Sequence, residues 1–155
     1  MKIHLIQVGK TTDDYLKQGV AEFEKRLGFY TNFESKVIEI KGKRRFSEPD
    51  QQRLEESKVL LEKIPANANL ILLDERGKEF TSESFSAFLQ KQMNAASDIY
   101  FCIGGPYGFH QSVYSRAAHQ IALSKMTMTH QMVRLYFTEQ LYRAFTIIKG
   151  EKYHH

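Results

Sequence analysis

Apolar residues are spaced along the chain in two ways, which predict helices and strands in alternation. The clearest helical spacing, with steps of four, three and four, joins Leu16, Val20, Phe23 and Leu27. These positions fall on one face of a helix. Thr11 or Thr12 can cap the start of this helix with a side-chain oxygen, and Gly28 stands where a C-terminal cap belongs.

Short apolar runs mark the predicted strands. We expect strands at residues 2–8, 33–40, 70–73, 99–103 and 120–123. The run at residues 70–73 shows no alternation of apolar and polar positions, which is typical of a strand covered on both faces of a parallel sheet. Further helices are expected between a cap at Ser47 and a stop at Pro65, after a cap at Thr81 or Ser82, at residues 112–118, and at residues 132–148.

The order of these elements predicts the fold class. A chain that runs β-α-β-α-β-α-β-α-β-α forms a parallel α/β sheet with helices on both faces. Its 155 residues suit one hydrophobic core, and no linker, repeat or low-complexity segment divides them. We therefore expect a single domain over residues 1–155.

The last predicted helix is apolar around most of its circumference. Its apolar residues are Val133, Leu135, Tyr136, Phe137, Leu141, Tyr142, Phe145, Ile147 and Ile148. Such a helix needs cover on more than one side, so we expect it to pack on the sheet with one face and on a second subunit with another. Full burial within one subunit is the alternative. Glu139 and Arg143 stand four positions apart and can pair across one turn, which indicates a role in an interface or a site.

Composition and charge narrow the class of protein. With 22 Lys+Arg and 18 Asp+Glu, the formal net charge is +4, a mild excess that leaves a generic protein and a nucleic-acid-binding protein equally open. No apolar run approaches the roughly 20 residues of a membrane span, and the N-terminus lacks the pattern of a secretory signal. Cys102 is the only cysteine, which excludes an internal disulfide and a cysteine-based metal cluster. We expect a cytoplasmic protein without membrane contact.

Positive charge is concentrated in one short segment. Lys41, Lys43, Arg44 and Arg45 put four positive charges into five residues around a glycine. Such a cluster can contact the phosphates of a nucleic acid without reading its sequence. A solvated, charged loop is the alternative.

Three distinctive loops follow predicted strands at the edge where parallel sheets bind ligands. They are residues 72–77, 103–108 and 123–128. In the second loop Gly104 and Gly105 allow a ligand to approach the backbone closely, and a tight turn without a ligand is the alternative. The dinucleotide fingerprint and the P-loop are absent from the sequence, so it does not support a kinase, an NTPase or an NAD-dependent enzyme. The six histidines show no metal-ligand spacing, and we expect no metal site.

The C-terminal residues differ from an ordinary polar terminus. Tyr153 brings an aromatic stacking surface, and His154 brings an imidazole, a group suited to acid–base chemistry near neutral pH. Both directly follow the helix that we expect at an interface. A frayed tail is the alternative.

Several motifs together match one family in order along the chain. They are GGPYG at residues 104–108, LSKMTM at 123–128, HQMVR at 130–134, EQLYRA at 139–144, and the terminal Tyr153-His154. The sequence resembles the ribosomal RNA large-subunit methyltransferase H family of the SPOUT class over its whole length. The resemblance implies a SPOUT α/β fold with a C-terminal trefoil knot, and a homodimer. The implied activity is transfer of a methyl group from S-adenosylmethionine (SAM) to N3 of a pseudouridine in the 23S rRNA of the assembled ribosome.

The resemblance also implies which residues form the site. The implied SAM-binding residues are Leu73, Gly104, Leu123, Ser124, Lys125, Met126, Thr127 and Met128. The implied catalytic residues are Glu139, Arg143, Tyr153 and His154. His154 is our candidate for the base or for a group that orients the substrate, although hydroxide can also serve as base. Arg143, tied by Glu139, can stabilise negative charge or grip a phosphate.

Other residues carry alternative or weaker assignments. His130 is a further catalytic candidate, and a cap for the last helix is its alternative role. Lys43, Arg44 and Arg45 are the expected rRNA contacts. The family places a basic residue after Tyr-His, where this chain has His155. Two other functions fit the same motifs: a ribosome-binding factor without activity, and a SPOUT methyltransferase acting on another RNA such as tRNA.

Overall fold

The computed structural model describes residues 1–40, 48–95 and 97–155. In these ranges the chain forms β1 (Ile3–Val8), α1 (Asp14–Leu27), β2 (Phe33–Ile38), α2 (Pro49–Glu62), β3 (Asn69–Glu79), α3 (Ser82–Met93), β4 (Ile99–Ile103), α4 (Gln111–Arg116), β5 (His119–Ala122) and α5 (Met132–Ile148). This is the alternation that the apolar pattern predicts, and the predicted α/β fold class is confirmed.

The five strands form one sheet in the order β2-β1-β4-β3-β5. Every neighbouring pair is parallel. The central strand β4 lies between β1 and β3, and all five of its residues are buried. Because the strands are parallel, their carboxyl ends lie at one edge of the sheet, where a ligand site is expected.

Helices cover both faces of the sheet, as predicted. Helices α1, α3 and α5 pack on one face, around a core that contains Phe101 and Phe137, whose ring centroids lie 4.8 Å apart. Helices α2 and α4 pack on the other face through Leu60 and Val113. Consecutive strand residues point to opposite faces, so β4 gives Phe101 to the first core and Cys102 to the second. Burial raises the pKa of the Cys102 thiol, which is a core group here.

Strand β3 is longer than the sequence predicts. The apolar run ends at Leu73, but the strand continues to Glu79 and pairs with β5 after a shift of register between Leu73 and Lys78. Gly77 lies in this irregular part, and a Cβ atom there would be 2.6 Å from the backbone nitrogen of Ile121. The two strands approach so closely that only glycine fits.

The predicted element ends are mostly close to those observed. The other four strands begin and end within two residues of the predicted positions. Thr81 caps α3 as predicted, in a capping box with Ser84. The caps predicted for α1 and α2 are wrong. The N-cap of α1 is Asp13 and not Thr11 or Thr12. The N-cap of α2 is Glu48 and not Ser47, which lies outside the described residues. Neither Asp13 nor Glu48 makes a side-chain cap hydrogen bond.

The first turn of α5 is fastened to the end of β1. Arg134 is fully buried, and its two terminal nitrogens donate to the Val8 carbonyl and to Thr11 Oγ1, both at 2.8 Å. Nearby, Gln131 Oε1 accepts the backbone N–H of Thr12 at 2.9 Å. A buried guanidinium requires such hydrogen bonds, because it has lost its water. These contacts hold the start of α5 at the edge where the strands end.

Helix α5 has the predicted bounds and two different faces. Phe137 and Leu141 have no exposed surface, whereas Tyr136 is 41% exposed. The open face is the one on which the sequence predicts a second subunit. No helix in residues 1–40, 48–95 and 97–155 is both long and apolar enough to cross a membrane.

Candidate active site

A cavity of about 430 Å³ opens at the carboxyl ends of β4 and β5 and beside the irregular middle of β3. All three segments that the sequence analysis identified contribute to its wall, as do His130 and Val133 at the start of α5. Residues 72–77 belong to β3, so the loop predicted there is wrong. The three segments are separated in sequence, and the parallel strands bring them together. Pockets for small molecules have volumes of roughly 300–1,000 Å³, so the cavity can hold one cofactor.

Seven of the eight residues expected to bind the cofactor line this cavity. They are Leu73, Gly104, Leu123, Ser124, Met126, Thr127 and Met128. The eighth, Lys125, belongs to the same loop, but its side chain is exposed and does not line the wall.

Close packing explains the glycines of the loop after β4. A Cβ atom on Gly104 would lie 3.3 Å from the carbonyl group of Gly108 and from the Phe109 ring. On Gly105 it would lie 2.8 Å from both carboxylate oxygens of Glu56. The left-handed conformation falls on Gly108, with φ +76°, and its N–H donates to the Gly105 carbonyl at 3.1 Å. The loop is therefore a tight turn that also forms part of the cavity wall.

The loop after β5 is tied to the middle of β3. Thr127 Oγ1 donates to Glu75 Oε2 at 2.9 Å, and within the loop the Met126 N–H donates to Ser124 Oγ at 3.0 Å. The Met126 side chain stays 79% exposed at the cavity mouth. The bond from Thr127 to Glu75 links two walls of the cavity to each other.

His130 lines the cavity and does not cap α5, whose N-cap residue is Gln131. Burial and the nearby charge of Arg134 lower the pKa of His130. The imidazole is therefore neutral at physiological pH and presents one donor and one acceptor to the cavity region.

A charged cluster in the cavity wall was not assigned from the sequence. Tyr114 donates to Asp74, whose carboxylate also accepts from the Arg76 N–H at 2.9 Å and from Arg76 Nε at 3.3 Å. Burial alone would raise the pKa of Asp74, but these hydrogen bonds and the Arg76 charge lower it. Asp74 is therefore ionised at neutral pH and puts a fixed negative charge into the wall.

Two members of the wall come from helices distant in sequence. Arg53 in α2 donates to the Tyr107 carbonyl at 3.2 Å, and Tyr114 lies in α4. No local motif marks either residue, whereas Asp74 and Arg76 fall within residues 72–77, a segment that the sequence singles out. Apolar side chains such as Leu73, together with the Asp74 carboxylate, suit a ligand that has a flat ring and a positive charge.

The four expected catalytic residues form a second cluster. Glu139 Oε1 accepts from Arg143 Nη2 at 2.6 Å, from Arg143 Nε at 3.1 Å and from the Tyr153 hydroxyl at 3.1 Å. The Arg143 guanidinium lies 4.7 Å from the Tyr153 ring centroid, and its Nη1 is 3.3 Å from His154 Nδ1. Glu83 Oε1 lies 2.8 Å from His154 Nε2, a contact that the sequence did not indicate.

None of these four residues lines the cavity of the same chain. One chain thus carries two separate clusters, one at the ends of the strands and one between α3, α5 and the tail.

The remaining expectations concern nucleic acid and metal. Lys43, Arg44 and Arg45 lie outside the described residues. Among the residues that are described, no three His, Cys, Asp or Glu side chains are grouped as metal ligands would be.

Comparison with known proteins identifies the family. The family model described as Predicted SPOUT methyltransferase matches residues 1–154. The chain is similar to a protein named Ribosomal RNA large subunit methyltransferase H from Cytophaga hutchinsonii, with 53% identity over 100% of both chains. A protein of the same name from Christiangramia forsetii is 47% identical and is matched over 100% of this chain and 99% of its own.

A more distant likeness comes from a solved structure. It is described as a methyltransferase from Legionella pneumophila in complex with the bound cofactor SAM, and it has a TM-score of 0.49 and 12% identity. It covers 93% of this chain and 66% of its own length, and at this distance it adds nothing to the assignment. The family match and the identity to full-length relatives show that the chain belongs to the SPOUT methyltransferase family.

Proposed function

We propose that this protein transfers a methyl group from SAM to N3 of a pseudouridine in the 23S rRNA of the assembled ribosome. The observation that carries the proposal is the cavity at the carboxyl ends of β4 and β5 and beside the middle of β3, which seven of the eight expected cofactor residues line. Membership of a methyltransferase family and the names of the full-length relatives support it. The C-terminal trefoil knot implied by the family resemblance stays a prediction.

The wall of the cavity fits SAM chemically. Leu73, Leu123 and Met126 offer apolar surface for the adenine ring. Backbone groups of the loops after β4 and β5 offer hydrogen-bond donors and acceptors for the edge of this ring. Asp74 offers a negative charge to the positively charged part of the cofactor. When bound, SAM supplies a methyl group that is already activated on a sulfonium sulfur.

The protein must then align the target nitrogen and remove its proton. Alignment alone supplies several kcal/mol, because an encounter of two bodies becomes an oriented contact. N3 of a uracil ring carries a weakly acidic proton, so a base that accepts it speeds the reaction. His154 is the candidate for this base or for an orienting group, with hydroxide as the alternative base. Arg143 stabilises negative charge on the ring or holds a phosphate.

The separation of the two clusters supports a dimer with composite sites. Glu139, Arg143, Tyr153 and His154 do not line the cavity of their own chain, and α5 leaves Tyr136 exposed on an open face. In the homodimer that we propose, the tail of one chain approaches the cavity of the other. Lys43, Arg44 and Arg45 contact rRNA phosphates, and the reaction takes place on ribosomes in the cytoplasm.

Methylation of ribosomes in vitro tests the proposed function. Ribosomes from a strain lacking the gene are incubated with the protein and SAM, and methylated nucleosides are located by mass spectrometry. We expect one methyl group on N3 of a 23S rRNA pseudouridine. Unmodified rRNA would favour a ribosome-binding factor without activity, and methyl groups found only in tRNA would favour the other substrate.

A substitution in the cavity wall tests whether the loop after β4 belongs to the SAM site. Gly104→Leu places a large side chain where even a Cβ atom has neighbours at 3.3 Å, so we expect calorimetry to detect no SAM binding. Light scattering should still give the mass of a dimer. Gly28→Leu is the control: its Cβ atom would also have a neighbour at 3.3 Å, the Lys25 carbonyl oxygen, but the position is exposed and outside the cavity wall, so this variant should bind SAM as the wild type does. Equal affinity in the two variants would remove the glycine loop from the site.

A further inference from the structure

The first turn of α3 contacts the C-terminal cluster at two points. Ser82 Oγ donates to Gln140 Oε1 at 3.1 Å, and Gln140 Nε2 donates to Glu139 Oε2 at 2.8 Å. One residue further, Glu83 Oε1 lies 2.8 Å from His154 Nε2. The helix start is therefore bonded to both ends of the cluster, the carboxylate and the imidazole.

The partners of His154 determine which ring nitrogen carries the proton. Arg143 Nη1 lies 3.3 Å from Nδ1, and a guanidinium only donates hydrogen bonds. Nδ1 must therefore be the acceptor. In the neutral ring the proton then resides on Nε2, which donates to the Glu83 carboxylate. The hydrogen bond to His154 lowers the pKa of Glu83, so this carboxyl group is ionised and can accept.

We propose that Glu83 is a positioning residue for His154: it keeps the proton on Nε2 and so leaves Nδ1 as the basic nitrogen that serves the substrate. This inference rests on the proposed function. In the reaction the N3–H bond of the base breaks, its proton forms a bond to Nδ1, and N3 keeps the electron pair. N3 would use this pair to bond the methyl carbon, while the bond from that carbon to the sulfonium sulfur would break and leave a neutral thioether. The imidazolium that results is held by the negative charge of Glu83.

Arg143 completes the arrangement, because it covers Nδ1 in the structure described. An anionic phosphate or ring of the substrate draws the guanidinium away and frees Nδ1. The charged groups in contact with the His154 ring are Glu83 from α3 and Arg143 from α5. Arg143 and Tyr153 both bond to Glu139, and His155 is the next residue in the tail.

Stability is not the reason for this contact. The Glu83 side chain is 66% exposed, and ion pairs at exposed sites add little to folding. A carboxylate that fixes a histidine tautomer instead acts on the rate, since the wrong tautomer presents a proton where a lone pair is needed.

The experiment uses the full-length protein and three variants. Glu83→Ala removes the acceptor, and Glu83→Gln keeps an acceptor oxygen but loses the charge. Glu55→Gln is the control, at a half-buried glutamate of α2 that is paired with Lys58. We expect Glu83→Ala to lower kcat for rRNA methylation by about 10-fold to 100-fold, with SAM affinity unchanged by calorimetry. Glu83→Gln should recover part of the rate, and the control should equal the wild type.

Two further readouts separate positioning from a general effect. Nitrogen-15 NMR of the His154 ring should report the Nε2–H tautomer in the wild type and a mixture in Glu83→Ala. In a His154→Ala background, adding Glu83→Ala should cost no further activity, because the carboxylate acts through the imidazole.

The outcomes for the two proposals differ. Wild-type kcat in Glu83→Ala, an unchanged tautomer, or full additivity with His154→Ala would each overturn the role of Glu83. A wild-type protein that methylates no RNA would overturn the proposed function, while the NMR measurement would still decide whether Glu83 fixes the tautomer.

Discussion

Replacing Gly77 with alanine tests whether the close approach of β3 and β5 shapes the cavity. The added Cβ atom would lie 2.6 Å from the Ile121 nitrogen and 2.7 Å from the Gln120 carbonyl carbon. Ordinary contacts begin at 3.4 Å, so β5 must move by about 0.8 Å. The obstacle is the backbone of β5, and no side-chain rotation relieves it.

The magnitude follows from this displacement. Forcing one extra methyl group into a packed site costs about 1–3 kcal/mol, and we expect the upper end because a strand has to shift. The loop of residues 123–128 begins directly after β5 and forms one wall of the cavity. A misplacement near 1 Å can cost on the order of 100-fold in rate. We expect SAM affinity to fall by at least about tenfold, which is ~1.4 kcal/mol.

Urea denaturation and calorimetric titration with SAM measure the two effects. Gly28→Ala is the matched control, because Gly28 has a φ of −58° and is exposed after α1. This variant should stay within about 0.5 kcal/mol of the wild type. If Gly77→Ala kept both the stability and the SAM affinity of the wild type, β5 would not transmit strain to the cavity and the reasoning would be wrong.

Two other substitutions test the core and its pH dependence. Phe137→Ala, at a fully buried position, should lower the free energy of unfolding by about 3–5 kcal/mol; a loss below 1 kcal/mol in urea would contradict the described packing. Burial lowers the pKa of His4 from 6.5, so the unfolded chain binds the proton more readily and stability falls as pH drops below about 6.5. His4→Phe keeps an aromatic ring on Tyr100 and should reduce the difference between the unfolding free energies measured in urea at pH 7.5 and pH 5. An equal difference in the wild type and the variant would show that His4 is not responsible.

Much of the fold could be predicted, because the spacing of apolar residues along the chain follows the positions that face the core. Helix α5 and strand β4 have the predicted bounds. All five residues of β4 are buried, and α5 has buried residues from Arg134 to Thr146, so burial extends almost to the ends of both elements. The second half of β3 escaped prediction, because residues 74–79 are mostly polar and only Lys78 and Glu79 resume the pairing with β5 after the shift of register. The caps of α1 and α2 also escaped, since neither uses a side-chain hydrogen bond.

The same division applies to the candidate site. The cavity was predictable because carboxyl ends of parallel strands meet at one edge, and the loops that follow them contain its glycines and Leu123. Arg53 and Tyr114 were not, because each enters the wall from a separate helix. Glu83 meets His154 across 71 residues, and no local spacing encodes that contact.

The bond between Arg134 and Val8 has a consequence for how the protein is made. It joins residues 126 positions apart, so the first strand cannot reach its final environment until the last helix has been synthesised. Contacts this distant along the chain slow folding and leave apolar surface exposed in the meantime. The α5 wall of the cavity, with His130 and Val133, is added at the end. The cavity is therefore complete only after α5 has been made, because the strands and loops that precede it leave this wall open.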